Sequence, residues 1–292
     1  MASYPDGSDA DVDEDAHSFT YEEQESVFDR QVRIWGREAQ QRLSNARVVV
    51  LGLTPSVAEA AKGLALAGVC AISIADDLPA SSAPPSLLQA SSNGSRASAF
   101  ARAISDSSAF CHVHAVSCSH ATSLLRSGQC NLALLSWRFR DASADARSNS
   151  IPCYVSGGMP FFGAFFFVDD ADPASLSLME QLRLSRLPLD TPPLIAAAVS
   201  IARTKLGMQH PQVNSRNSLD KADFNVIAEN VTDAEDCGES PPTASVVGGV
   251  LGQEATKMLS GSGKLLQNAF AFDERTSCGA LTHMTQKEDQ ET

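Results

Sequence analysis

The sequence predicts an α/β fold with a doubly wound sheet, a small helical insertion and a disordered acidic N-terminal tail. Short apolar runs rich in β-branched residues alternate with alanine-rich helical segments as far as residue 168. This alternation is typical of parallel strands joined by crossover helices. It stops near residue 169 and resumes near residue 240, so the segment between them interrupts one domain.

The composition limits the classes of partner. The chain has 292 residues, of which 43% are hydrophobic and 20% charged, with a formal net charge of -13. An acidic chain is unsuited to nucleic acid, whose phosphates require clustered Lys and Arg. No apolar run is long enough to cross a bilayer, and the acidic N-terminus is neither a signal nor a transit peptide. We therefore expect an intracellular chain with neither nucleic-acid nor membrane partners.

The seven cysteines are irregularly spaced and include no C-x-x-C pair. An odd count without such a pair favours neither a disulfide framework nor a zinc site. His112 and His114 stand at strand spacing, and a place in a sheet is favoured over metal binding. No metal site is expected.

The N-terminal part divides into a tail and a helix. Residues 1–24 are rich in Asp, Glu and Ser, which predicts a disordered acidic tail; an interaction role is the alternative. Phe28, Val32, Trp35 and Ala39 then fall at i, i+4, i+7 and i+11. This spacing predicts one amphipathic helix.

The next three elements form a β-α-β unit. Residues 47–53 (RVVVLGL) are a continuous apolar run, as in a buried parallel strand. Residues 56–67 are alanine-rich and precede Gly68, which predicts a helix, and residues 71–76 form a second strand. Four more strands are predicted at residues 110–117, 131–137, 151–156 and 161–168, with Gly157 and Gly158 turning between the last two.

The remaining segments complete the domain organisation. Residues 79–98 predict a loop leading into a weak helix, and residues 169–239 a helical insertion. A late helix at 246–259 and closing strands at 268–273 and 278–284 return to the main domain. That domain therefore comprises residues 25–168 and 240–286.

The turn between the first strand and the first helix lacks the features of a phosphate loop. In a Rossmann-like unit, glycines let the backbone approach a nucleotide phosphate at the helix N-terminus. Here only Gly52 stands where a glycine is needed, Thr54 and Val57 replace the other two, and Pro55 removes one N–H donor. Asp76, 24 residues after Gly52, is a vestigial ribose-type carboxylate. The pattern favours a plain strand-to-helix connection over nucleotide binding.

Three segments together resemble one family. Residues 28–36 (FDRQVRIWG), the first β-α unit at 48–68 and residues 241–259 (PPTASVVGGVLGQEATKML) are similar to parts of the ubiquitin-like-modifier-activating enzymes. Within that family the chain most resembles the smaller, non-catalytic subunits of the SUMO-activating heterodimers, which are stand-alone pseudo-adenylation domains of the ThiF type.

The resemblance implies a division of labour between two subunits. The catalytic partner would bind ATP and magnesium, adenylate SUMO and form the thioester, while this chain binds no cofactor and contacts SUMO only indirectly. No Asn–Arg pair follows the second strand here. Cys237 lies next to Asp236 and near Glu239, and neighbouring carboxylates raise a thiol pKa. The family also implies residence in the nucleus, with the cytoplasm as a further compartment.

One residue of this chain is implied in the chemistry. In the family the arginine of the opening motif reaches into the partner's ATP site, and by position this residue is Arg30. A guanidinium acting in trans stabilises phosphate charge during the reaction. The alternative is a local pair between Arg30 and Asp29, and Arg33 is a weaker second candidate.

Two other functions stay open at this point. One is a stand-alone Rossmann-like enzyme that binds a nucleotide or S-adenosylmethionine above the first strand. The other is a scaffold that has kept the fold and left the pathway.

Overall fold

The computed structural model describes residues 21–82, 94–159, 162–168, 239–265, 269–274 and 277–282. Most of the predicted acidic tail, the helices predicted within 169–239 and the prediction for Cys237 lie outside these ranges. The first helix begins at Tyr21, four residues inside the segment that was predicted to be disordered.

The described chain contains seven α-helices, eight strands and two short 3-10 helices. The helices are α1 (Tyr21–Trp35), α2 (Arg37–Asn45), α3 (Pro55–Leu66), α4 (Arg96–Ser105), α5 (Cys118–Arg126), α6 (Ser143–Ser148) and α7 (Pro241–Ser260). The strands are β1 (Arg47–Leu51), β2 (Ala71–Ala75), β3 (His112–Ala115), β4 (Leu132–Ser136), β5 (Cys153–Met159), β6 (Phe162–Val168), β7 (Ala269–Asp273) and β8 (Cys278–Thr282). The 3-10 helices are Ala80–Ser82 and Trp137–Ala142.

The strands form one eight-stranded sheet in the order β3-β2-β1-β4-β5-β6-β7-β8. The first five are parallel, and β6, β7 and β8 extend the sheet in antiparallel pairings. The doubly wound fold is therefore confirmed. The strand order reverses between β1 and β4, and in such sheets ligands bind at this switch point, beyond the carboxyl ends of the strands.

Alternate residues of β1 face two different cores. Val48 and Val50 lie in the larger core, which also contains buried residues of α2, α3, α4 and α7. Val49 and Leu51 lie in the smaller core, together with residues of α5 and α6. Because successive side chains point to opposite faces of a strand, a continuous apolar run is needed to fill both layers.

The predicted opening helix is two helices. Gly36 has a φ of 90°, which ends α1 at Trp35 and lets α2 begin at Arg37. Such a φ is readily adopted only by glycine. The Trp35 indole N–H donates to Gln40 Oε1 at 3.1 Å, and Gln40 Nε2 donates to the Ala67 carbonyl at 3.1 Å. These bonds tie both helices to the end of α3.

The placement of Gly157 and Gly158 in a turn was wrong. Both lie within β5, paired with Ala164 and Gly163 of β6, and β5 continues to Met159. Gly163, opposite Gly158, must be small because α7 packs closely on β6. A Cβ on Gly163 would lie 2.8 Å from Val247 Cγ2.

The segments that carry the family resemblance meet in space. The Phe28 ring packs on Gly68, where an added Cβ would lie 2.5 Å from Phe28 Cζ, and it meets Phe110 edge-on at 5.3 Å. Arg42 of α2 donates to the Ser260 carbonyl at the end of α7, at 3.0 Å. The opening motif, the end of α3 and the late helix therefore form one packed unit.

Candidate functional site

Gly52 lies in close contact with neighbouring side chains at the switch point. Its φ of 82° directs the chain from β1 towards α3. A Cβ at Gly52 would clash with the Ser136 hydroxyl and lie 2.7 Å from Phe139 Cδ2. The chain's own residues beyond β4 therefore fill the space beside this glycine.

Asp76 lies at the end of β2, as predicted, and binds the backbone of this chain. Its Oδ2 accepts from the Leu53 N–H at 2.8 Å, and its Oδ1 accepts from the Leu78 N–H at 3.0 Å. The residue is only 2% exposed. Each carboxylate oxygen thus fixes one of the two turns that follow β1 and β2, which is a structural role.

The substituted positions of the turn fit a capped helix. Thr54 is the N-cap of α3, and its Oγ1 accepts from the Val57 N–H at 3.3 Å. Pro55 occupies the first helical position, where its missing N–H costs the helix no intrahelical bond. Val57 is fully buried in the larger core. Each substitution stabilises α3 and removes a feature that a phosphate would use.

Glu239 completes this site, and sequence analysis missed it. The Ser56 N–H donates to Glu239 Oε2 at 2.6 Å, and Ser56 Oγ donates to Glu239 Oε1 at 2.8 Å. Ser56 Oγ also lies 3.1 Å from Ser156 Oγ, which donates to the Ala164 carbonyl at 3.2 Å. Glu239 therefore contacts the start of α3 in the main domain.

The environment of Glu239 is unusual for a carboxyl group. The residue is 3% exposed, and burial raises its pKa to about 7 against the opposing effect of the two Ser56 hydrogen bonds. Desolvation disfavours the charged form, whereas hydrogen bonds to that form favour it. This carboxyl group therefore titrates near neutral pH.

Several backbone donors that a nucleotide phosphate would use at this turn are bonded within the chain. Among the described residues, the N–H groups of Leu53, Ser56 and Val57 already donate to Asp76, Glu239 and Thr54. The Gly52 N–H donates to the Ala75 carbonyl at 2.7 Å. A phosphate would have to displace the Glu239 carboxyl group to reach the helix N-terminus.

Arg30 and Arg33 differ sharply in their surroundings on α1. Arg33 binds Asp29 through Nε at 3.1 Å and through Nη2 at 2.8 Å. The alternative pair of Arg30 with Asp29 is therefore not formed, and Arg30 makes no hydrogen bond or ion pair with any residue that the structure describes. Its guanidinium is exposed and available to another molecule.

Two exposed apolar side chains flank Arg30 on the same helix face. Val27 is 60% exposed and Ile34 is 80% exposed. Positions 27, 30 and 34 stand at i, i+3 and i+7, so they share one side of α1. We call these three residues the α1 stripe. The buried Phe28 anchors the helix to the domain.

Four of the described cysteines are poor nucleophiles. Burial raises the pKa of the thiols of Cys111 and Cys118 to about 12 and that of Cys130 to about 11. Burial also raises the pKa of Cys153. The reactive form of cysteine is the thiolate, so these four thiols are unsuited to thioester chemistry.

The described residues offer neither a metal-binding cluster nor a membrane-spanning helix. Within the described ranges, no three His, Cys, Asp or Glu side chains are grouped so as to hold a metal ion. His112 and His114 lie exposed on β3 with their rings stacked at 6.4 Å, as the sheet interpretation predicted. None of the described helices combines the length and apolarity needed to span a membrane.

Comparison with known sequences identifies relatives over most of the chain. No protein-family model matches it. SUMO-activating enzyme subunit 1B-1 of Arabidopsis thaliana is 23% identical over 312 aligned residues, covering 91% of this chain and 98% of the relative. Human SUMO-activating enzyme subunit 1 is 46% identical over 63 residues, or 22% of this chain and 18% of that protein.

Solved structures share the fold. PaaA superposes with a TM-score of 0.59 at 15% identity, covering 92% of this chain and 85% of that one. E. coli MccB, crystallised with MccA, gives 0.59 at 12% identity, covering 93% and 74%. The resemblance stated from the three motifs is confirmed: the chain is homologous to SUMO-activating enzyme subunit 1 over most of its length, and it shares the Rossmann-type fold of PaaA and MccB.

Proposed function

We propose that the chain is the non-catalytic subunit of a SUMO-activating heterodimer and supports ATP-dependent adenylation and thioester formation of SUMO on its partner subunit. The observation that carries this proposal is the exposed Arg30 guanidinium of the α1 stripe, which no described residue binds and which lies beside two exposed apolar side chains. The SUMO pathway is proposed because the relatives are named SUMO-activating enzyme subunit 1.

The chemistry is assigned to the partner on two grounds. Donors at the first turn of α3 have partners within this chain, which supports the assignment of ATP and magnesium to the other subunit. The four described thiols with raised pKa values do not supply a thioester nucleophile. SUMO would then contact this chain only through the complex.

The α1 stripe has the chemistry of a protein interface. Exposed branched apolar side chains beside an arginine are a combination that interfaces bury, and arginine is enriched among the residues that dominate binding energy. In the heterodimer, Val27 and Ile34 would pack against the partner. Arg30 between them would place its positive charge beside the phosphates that the partner holds.

Residence in the nucleus, with the cytoplasm as a further compartment, belongs to the same proposal. It rests on the family resemblance alone, because the sequence has no dense basic cluster. Imaging of the tagged full-length chain would check it.

Reconstitution tests the proposal. The full-length chain is mixed with the catalytic SUMO-activating subunit of the same organism, and complex formation and ATP-dependent SUMO thioester are measured. We expect a stable complex and a thioester that requires both chains. A chain that neither binds this partner nor supports thioester formation would be the scaffold of the alternative hypothesis.

Matched variants separate the two parts of the stripe. Arg30→Ala is expected to leave the complex intact and to lower adenylation by at least about tenfold, because the charge of the arginine acts on the reacting phosphates. Arg33→Ala, which removes a side chain held by Asp29, is the control and should retain activity. Ile34→Glu should weaken the complex itself, because it buries a charge in an apolar contact. Unchanged adenylation by Arg30→Ala would remove Arg30 from the chemistry.

A further inference from the structure

The N-terminus of α3 is the natural place for an anion in this fold. The first N–H groups of a helix have no intrahelical partner, and the helix dipole places partial positive charge there. In Rossmann-type proteins a nucleotide phosphate uses this position. The first turn of α3 contains no acidic residue of its own.

A carboxyl group from elsewhere in the chain takes this position. Glu239 lies 183 residues after Ser56, yet its two oxygens accept separately from the Ser56 N–H at 2.6 Å and from the Ser56 hydroxyl at 2.8 Å. A backbone N–H and a hydroxyl at a helix N-terminus are the donors that a phosphate oxygen would use. At 3% exposure, the Glu239 side chain is removed from solvent.

The late helix fixes Glu239 at this point. Glu239 directly precedes Ser240, the N-cap of α7. The helix α7 packs so closely on α3 that a Cβ at Gly248 would clash with the Ser56 carbonyl, and one at Gly252 would lie 3.4 Å from Ala60 Cα. The position of Glu239 is therefore set by helix packing and not by a mobile side chain alone.

We propose that Glu239 is an internal ligand, which holds the oxyanion position at the N-terminus of α3 where a nucleotide phosphate lies in other proteins of this fold. The chain thus excludes nucleotide from its own switch point by filling the phosphate position with a carboxyl group. This inference concerns the chain alone. It does not depend on the proposed heterodimer.

Anion rescue tests the proposal in the full-length chain. Glu239→Ala empties the position, and the melting temperature is measured in sodium phosphate and in sodium chloride of equal ionic strength. We expect the variant to melt below the wild type in chloride, and phosphate to raise its melting temperature by about 2–4 °C or more relative to chloride. The wild type should show no such difference, because its carboxyl group already fills the site.

Glu38→Ala is the matched control, since Glu38 is an exposed carboxylate on α2 whose side chain is 92% exposed. It should respond to phosphate as the wild type does. If Glu239→Ala is isolated unfolded, its refolding yield in phosphate and in chloride gives the same comparison. Equal behaviour of Glu239→Ala in the two salts, or an equal phosphate effect in the wild type, would overturn the proposal.

Discussion

The carboxyl group of Glu239 accepts hydrogen bonds from both the backbone N–H and the hydroxyl of Ser56, across 183 residues of sequence. This contact joins the start of the first crossover helix to the start of the late helix. Three predictions concern this part of the molecule.

The stability of the chain should fall as pH rises through neutrality, because of Glu239. The folded state holds the Glu239 proton up to a pKa of about 7, whereas the ordinary value is 4.5. Between these pH values the folded state binds more protons, so raising the pH favours unfolding. This contribution of Glu239 to the free energy of unfolding is fully present below pH 4.5 and lost above pH 7. It amounts to about 3 kcal/mol at most.

Urea unfolding at pH 5, 6.5 and 8 would measure this effect. Glu239→Gln has the shape of the protonated side chain and does not titrate, so its free energy of unfolding should lack this component. The difference between the two proteins isolates Glu239 from all other groups. Parallel pH profiles for wild type and Glu239→Gln would contradict the prediction.

Asp76→Ala should destabilise the chain by about 2–4 kcal/mol. The substitution removes the acceptor of the Leu53 and Leu78 N–H groups, and an unsatisfied buried donor costs about 1–3 kcal/mol. The free energy of unfolding from urea titration measures the loss. Asp141→Ala, at a side chain that is 94% exposed, is the control and should change stability by less than about 0.5 kcal/mol. Equal, small effects would mean that Asp76 is not structural.

Alanine substitutions at two neighbouring glycines of α7 should have different effects on the stability of the chain. A Cβ at Gly248 would clash with the Ser56 carbonyl and lie 2.7 Å from Glu59 Cβ, whereas one at Gly249 meets nothing within 4 Å. Gly248→Ala should therefore cost about 1–3 kcal/mol by overpacking. Gly249→Ala should be neutral or stabilise the helix by up to about 1 kcal/mol.

Thermal or urea unfolding of the two alanine variants checks this prediction. Both variants make the same glycine-to-alanine change at adjacent positions of α7, so the helix propensity of alanine contributes equally to their stabilities. A Gly248→Ala variant as stable as Gly249→Ala would show that α7 and α3 are less tightly packed than the structure describes. Such a result would also weaken the argument that α7 fixes Glu239.

Local patterns predicted the fold well. The run from Val48 to Leu51 indicated a strand buried on both faces, and those residues fill both cores. The three family motifs were recognised from contiguous residues. Element ends were less certain: α7 begins at Pro241, five residues before the predicted start, because Ser240 caps it and the prolines occupy its first turn.

Understanding the turn after β1 required both the sequence and the tertiary structure. The missing glycines and Pro55 are properties of the sequence by itself, and they predicted the loss of a phosphate loop because the backbone donors depend on residue type. That Arg33, and not Arg30, pairs with Asp29 follows from the helical form of α1, in which residues four apart are neighbours and adjacent residues do not face each other. That Glu239 fills the anion position was decided only by the packing of α7 on α3, since no local pattern relates residues 183 positions apart.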